Sequence, residues 1–180
     1  MNFIQKIVEK YEGSYNEELT KKFYSPGGTL TYQPKSGLIK VGGTKIRIEH
    51  KEAGGAMPTT DPIRIVLFLE SDYKQILSIY PSINLNYITD LIFQSKNLKI
   101  PKEIRKQFSF RGNQELIKKL ALDNTFCDSI NNEDIYITLD RTYPKSLMLT
   151  PAYGIENMEH FEKLILITKR IELHIKSKTT

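Results

Sequence analysis

Apolar residues recur at helical spacing from the start of the chain. Phe3, Ile4, Ile7, Val8 and Tyr11 share one face until Gly13 interrupts them, which predicts a helix over about residues 2–12. A polar stretch with Glu17, Glu18, Lys21 and Lys22 follows, then a Ser25-Pro26-Gly27-Gly28 break, and the pattern leaves open whether residues 15–24 form a second helix. Two alternating runs, Gly37–Val41 and Thr44–Ile48, flank Gly42-Gly43. Two glycines between such runs predict a tight hairpin, because both turn positions want positive φ. The register then sets Val41 opposite Thr44, Ile39 opposite Ile46 and Lys40 opposite Lys45. Ile39, Val41, Ile46 and Ile48 fall on the buried face, and Lys40, Lys45 and Arg47 on the other with Leu38.

Residues 53–62, rich in glycine and proline, predict a loop, and Ile63 to Glu70 is apolar on both alternations, as expected of a central strand covered on both sides. Tyr73–Tyr80 is apolar without a clear period, and Leu85, Ile88, Leu91 and Ile92 suggest a short helix. Gln107–Arg111 predicts a strand with Phe108 and Phe110 facing the core. Asn113 then caps a helix with Leu116, Ile117 and Leu120 on its buried stripe, and Asp123 caps a shorter one through Ile130. Asp134–Leu139 and Ser146–Leu149 pair as a hairpin. A long helix over about Glu156–Ser177 buries Met158, Phe161, Leu164, Ile165, Thr168, Ile171 and Ile175, leaving Leu166, Ile167 and Leu173 outside the stripe. Strands and helices segregated in this way predict one α+β domain over residues 1–180: a mostly antiparallel sheet, an N-terminal helix, a mid-chain helical patch and a long C-terminal helix packed on it. A weak internal boundary falls near residues 94–101.

These pieces resemble a diffuse family of uncharacterised bacterial α+β domains. The likeness rests on the Gly-bounded strand pair Leu38–Ile48, on Phe108-Ser109-Phe110-Arg111-Gly112-Asn113 entering the Leu116–Leu120 helix, and on Ile135–Leu139 through Ile175. It implies the fold and transfers no activity.

Composition narrows the class. Over 180 residues, 39% are hydrophobic and 26% charged, which is ordinary usage for a packed domain. The longest apolar run, Ile65–Leu69, is far short of a membrane span, and the N-terminal pattern has no signal-peptide core, so a cytoplasmic protein without membrane contact is expected. The single cysteine, Cys127, forms no intramolecular disulfide and reads as a small buried hydrophobe.

Charge is unevenly placed. The net charge is +5, yet residues 96–119 alone carry eight cations against Glu103 and Glu115. Lys99, Lys102, Arg105, Lys106 and Arg111 of this segment, with Lys40, Lys45 and Arg47 of the hairpin, are the candidate residues for an anion or nucleic acid.

Other chemistry finds little support. The glycine-rich stretches lack phosphate-loop spacing, no nucleophile motif occurs, and His50, His160 and His174 are scattered, so no catalytic, cofactor or metal residues are assigned. Glu70, Asp72, Asp61 and Asp140 are the carboxylates whose convergence would make an enzyme site. The wide stripe of the last helix makes Leu166, Arg170 and Leu173 candidates for self-association. The expectation is therefore a non-catalytic binding or accessory domain working through a protein partner or a homodimer. The alternative is a binder of nucleic acid or another polyanion, and an enzyme with an unrecognised carboxylate site comes third.

Overall fold

Residues 2–25, 28–50, 63–82 and 100–177 are described by the structure, a computed structural model. The expected loop over 53–62, the short helix around Ile88, Asp61, Lys99 and most of the 94–101 boundary lie outside them.

The strands are β1 (Ser14–Glu17), β2 (Lys21–Ser25), β3 (Gly28–Tyr32), β4 (Lys35–Val41), β5 (Thr44–His50), β6 (Ile63–Phe68), β7 (Leu77–Pro81), β8 (Phe108–Gly112), β9 (Ile135–Leu139) and β10 (Ser146–Pro151). Eight of them form one sheet in the order β1-β4-β5-β6-β10-β9-β7-β8, and every neighbouring pair is antiparallel. Among the described residues, β2 and β3 pair only with each other. The helices are α1 (Phe3–Lys10), α2 (Lys102–Gln107), α3 (Gln114–Ala121), α4 (Asn124–Ile130) and α5 (Met158–Lys176). The chain is thus α+β, with the antiparallel sheet, the leading helix and the long closing helix in their expected places.

Local chemistry explains most of these elements. Gly42 and Gly43 have φ of 53° and 82°, the turn that the alternation demanded, and Lys40 stands opposite Lys45 and Ile39 opposite Ile46. Asn2 and Gln5 form a reciprocal capping box at α1. The side chains of Asn113, Asp123 and Asn157 accept the N–H groups of Leu116, Phe126 and His160 at 2.9, 3.1 and 2.8 Å, starting α3, α4 and α5. Residues 15–24 form no helix: 15–17 belong to β1 and 21–24 to β2. Their polar residues sit on β1, at the sheet edge, and on the separate β2–β3 pair, where little apolar patterning is needed. The unassigned Tyr73–Tyr80 stretch supplies β7, and α2 was unforeseen because Ile104 is its only buried residue.

The core lies on one side of the sheet. Inward residues of β4–β10 (Ile39, Ile46, Ile65, Leu67, Ile79, Phe108, Ile137 and Leu149 among them) form one cluster with buried residues from all five described helices. α5 packs on β10, α3 and α4. Ile167, expected outside the stripe of α5, is fully buried because the helix is covered on two sides. Tyr11 meets Phe161 edge to face at 6.0 Å, and Lys10 pairs with Glu162, joining α1 to α5. β6 is a central strand, and on its second face Val66 is only 3% exposed between its register partners Arg47 and Met148.

Candidate functional site

Strand alternation sends a second set of residues to the face opposite the core. On β4 and β5 these are Leu38, Lys40, Lys45, Arg47 and Glu49; on β6, Arg64, Val66 and Phe68. β10 and β9 add Ser146, Met148, Thr150, Tyr136 and Thr138, and β7 and β8 add Ser78, Tyr80, Ser109 and Arg111. Among these strand positions there are five cations and one carboxylate, Glu49.

The cations are held in two ways. Glu49 accepts from both Arg47 Nε at 3.0 Å and Arg64 Nη1 at 3.3 Å, so one carboxylate serves two guanidinium groups. The Arg47 guanidinium also lies over the Phe68 ring at 5.5 Å, and that of Arg111 over the Tyr80 ring at 5.2 Å. Lys40 and Lys45 stand directly opposite each other, both exposed, and neither has an ion-pair partner among the described residues. Like charges in that position cost a few tenths of a kcal/mol unless an anion lies between them. Tyr136 is half exposed on the same face.

The remaining sequence candidates divide. Lys102 and Lys106 are exposed and Arg105 half-buried on α2, which runs directly into β8; Lys99 lies outside the described residues. Phe108 and Phe110 face the core, as their alternation implied. The hairpin cations and Arg111 therefore share one face but stand toward opposite ends of the sheet, and the α2 cations form a separate group.

The self-association candidates also divide. Leu166 and Leu173 are exposed, at 41% and 53%, whereas Arg170 is engaged within the chain. Its Nε donates to Asp123 Oδ2 at 2.7 Å, and His174 Nε2 approaches the same oxygen at 2.7 Å. Asp123 is buried, and burial alone would raise its pKa. The bonds from His174, Arg170 and the Phe126 N–H outweigh that and hold the carboxyl below its ordinary value.

A second buried carboxylate, Glu172, repeats the arrangement at the hairpin. Lys169 and Lys176 contact it at 2.5 and 2.8 Å, and Thr44 Oγ1 donates to it at 2.8 Å. Burial works to raise this pKa as well, and the Lys169, Lys176 and Thr44 bonds bring it below the ordinary value. At the start of α5, Glu133 takes His160 Nε2 at 3.1 Å and Lys163 at 2.6 Å. The Glu156 N–H donates to His160 Nδ1, which leaves Nε2 as the donor to Glu133. None of the three clusters is legible in the spacing of charges along the chain.

These clusters hold α5 in place and present no vacant reactive group. Glu70 pairs with Lys176, Asp72 with Lys145, and Asp140 accepts the N–H groups of Thr142 and Tyr143, so each of these three carboxylates has a partner of its own. No group of three His, Cys, Asp or Glu is placed to hold a metal among the described residues. Burial, with the charges of Asp123 and Asp128, pushes the Cys127 thiol up, away from the thiolate a nucleophile needs. A shallow depression of about 550 Å³ lies along α1 and β1, lined by Gln5, Val8, Glu9, Glu12, Gly13 and Tyr15. No described helix is long and apolar enough to cross a membrane.

Compared with family models, with curated proteins and with solved structures, the chain matches none.

Proposed function

We propose that the chain is a non-catalytic binding domain for a polyanion, with the sheet face opposite the core as its contact surface. One observation carries this reading: the strand positions of that face hold five cations against a single carboxylate, including Lys40 and Lys45 side by side with no ion-pair partner among the described residues. On α5, by contrast, Lys169, Arg170 and Lys176 are matched locally by Glu172 and Asp123. A surplus of one sign on a single surface attracts the opposite sign and steers its approach.

The test is calorimetric titration with short-chain inorganic polyphosphate between about 50 and 200 mM salt. Binding is expected at the low end and should weaken steeply toward the high end. The variant carrying both Lys40→Glu and Lys45→Glu replaces one like-charge pair by another, so its fold is little changed, and its affinity should fall about 10-fold or more. Absence of binding at low salt removes the reading.

A second reading, self-association, is favoured by Leu122, Leu173 and Leu166, exposed at 73%, 53% and 41% beside the Asp123–Arg170–His174 cluster. Light scattering across a dilution series is expected to show a dimer that dissociates, and Leu173→Lys should shift it to monomer. A strict monomer at every concentration ends this second reading.

A further inference from the structure

Resting on the polyanion reading of the sheet face, we infer that its ligand is a single strand of nucleic acid lying across the β-strands, not a duplex or a compact anion. One register row crosses the face: Arg47, Val66, Met148, Thr138, Ser78 and Arg111 sit on β5, β6, β10, β9, β7 and β8, each directly opposite the next. Cations close both ends, and the middle positions are uncharged. Five inter-strand steps separate the ends, about 24 Å at roughly 4.8 Å per step. A compact anion reaches only one end.

The middle of the row distinguishes a single strand from a duplex. A duplex keeps its bases inside and offers this surface only phosphates, for which Val66, Met148, Thr138 and Ser78 supply no charge. A flat row of strand positions does not itself enter a groove. A single strand can turn its base planes toward the protein, where the partly exposed Met148, Thr138 and Ser78 and the neighbouring rings receive them, Val66 lying beneath. Tyr136 and Tyr80 flank the row two residues along from Thr138 and Ser78, and Tyr136 is half exposed. The guanidinium groups of Arg47 and Arg111, each laid over a ring, add flat cationic surfaces at either end. Phosphates meet the ends, and bases lie on the strip between them.

Length is part of the inference. A stacked strand advances roughly 3.4 Å per nucleotide, so about seven nucleotides cover the row, and fewer do so when extended. Fluorescence anisotropy would compare labelled DNA single strands of about three and about eight nucleotides with a hairpin whose stem carries the same number of phosphates as the longer strand. The longer strand is expected to bind at least about 10-fold tighter than either the shorter one or the hairpin. Tyr136→Ala should weaken the longer strand about 5-fold or more and leave polyphosphate binding unchanged, while Tyr136→Phe, which keeps the ring, should restore it. Equal binding of strand and hairpin, or no effect of Tyr136→Ala, with polyphosphate still bound, overturns this inference and leaves the polyanion reading standing. Loss of polyphosphate binding as well removes both.

Discussion

Gly112→Ala is expected to destabilise the protein by about 3 kcal/mol or more, measured as a lowered urea midpoint with unchanged slope. Two independent features of the site produce that cost. Gly112 has φ of 123°, a backbone region that L-residues rarely adopt. A Cβ there would also lie 2.1 Å from the Ile76 carbonyl oxygen and 2.7 Å from its carbon, so backbone and not a flexible side-chain tip would have to move. The same carbonyl accepts the Asn113 N–H at 2.8 Å, and Gly112 is the register partner of Leu77. The substitution therefore pries β8 from β7 just where α3 begins. Gly43→Ala is the control: its φ is 82° but nothing lies within 4 Å of the added carbon. It should cost only about 1 kcal/mol.

The second large effect is expected at Asp123. Asp123→Ala removes the cap of α4 and strips Arg170 and His174 of their shared acceptor. Loss of a buried partner to charged groups, together with a cap, amounts to about 3–4 kcal/mol. Asp123→Asn keeps an oxygen for the Phe126 N–H and should lose less, about 1–3 kcal/mol. The pH dependence follows from direction alone. Asp123 and Glu172 both titrate in the folded chain below their ordinary values. Their contribution is therefore full above the unfolded carboxylate range near about 4, and it is lost as the pH falls through the lower folded values. An acid titration of urea stability should show that loss, and Asp123→Asn should flatten part of it. A variant whose acid limb matches the parent would show that Asp123 contributes no such term.

How legible this molecule is from its residues depends on how local each cause is. The Gly42-Gly43 turn fixes the β4–β5 register by itself, and Asn113 and Asp123 announce α3 and α4 because a cap acts within three residues. β1 and the β2–β3 pair escape detection since edge or isolated strands bury little, and α2 because it buries only Ile104. The cationic side of the hairpin can be read from alternation, but that Arg111 shares its face cannot, because this depends on the strand order across the sheet. The buried carboxylates are further still from view: Asp123 meets Arg170 across 47 residues and Thr44 meets Glu172 across 128. Charge spacing along the chain carries no trace of such pairs.

The strand order has one more consequence, for the order of assembly. β1, β4, β5 and β6 come from the first part of the chain and β7 to β10 from later, and the two groups meet only along the seam of β6 with β10. Leu67 waits for Leu147 there. Until residues 146–151 arrive, β6 is an unpaired edge of near-continuous apolar sequence, guarded within the strand by Arg64 alone. Closure over such a separation places folding on the roughly millisecond-to-second scale of non-local sheets. A strand that ends buried in the middle of the sheet thus begins as an exposed template for misassembly.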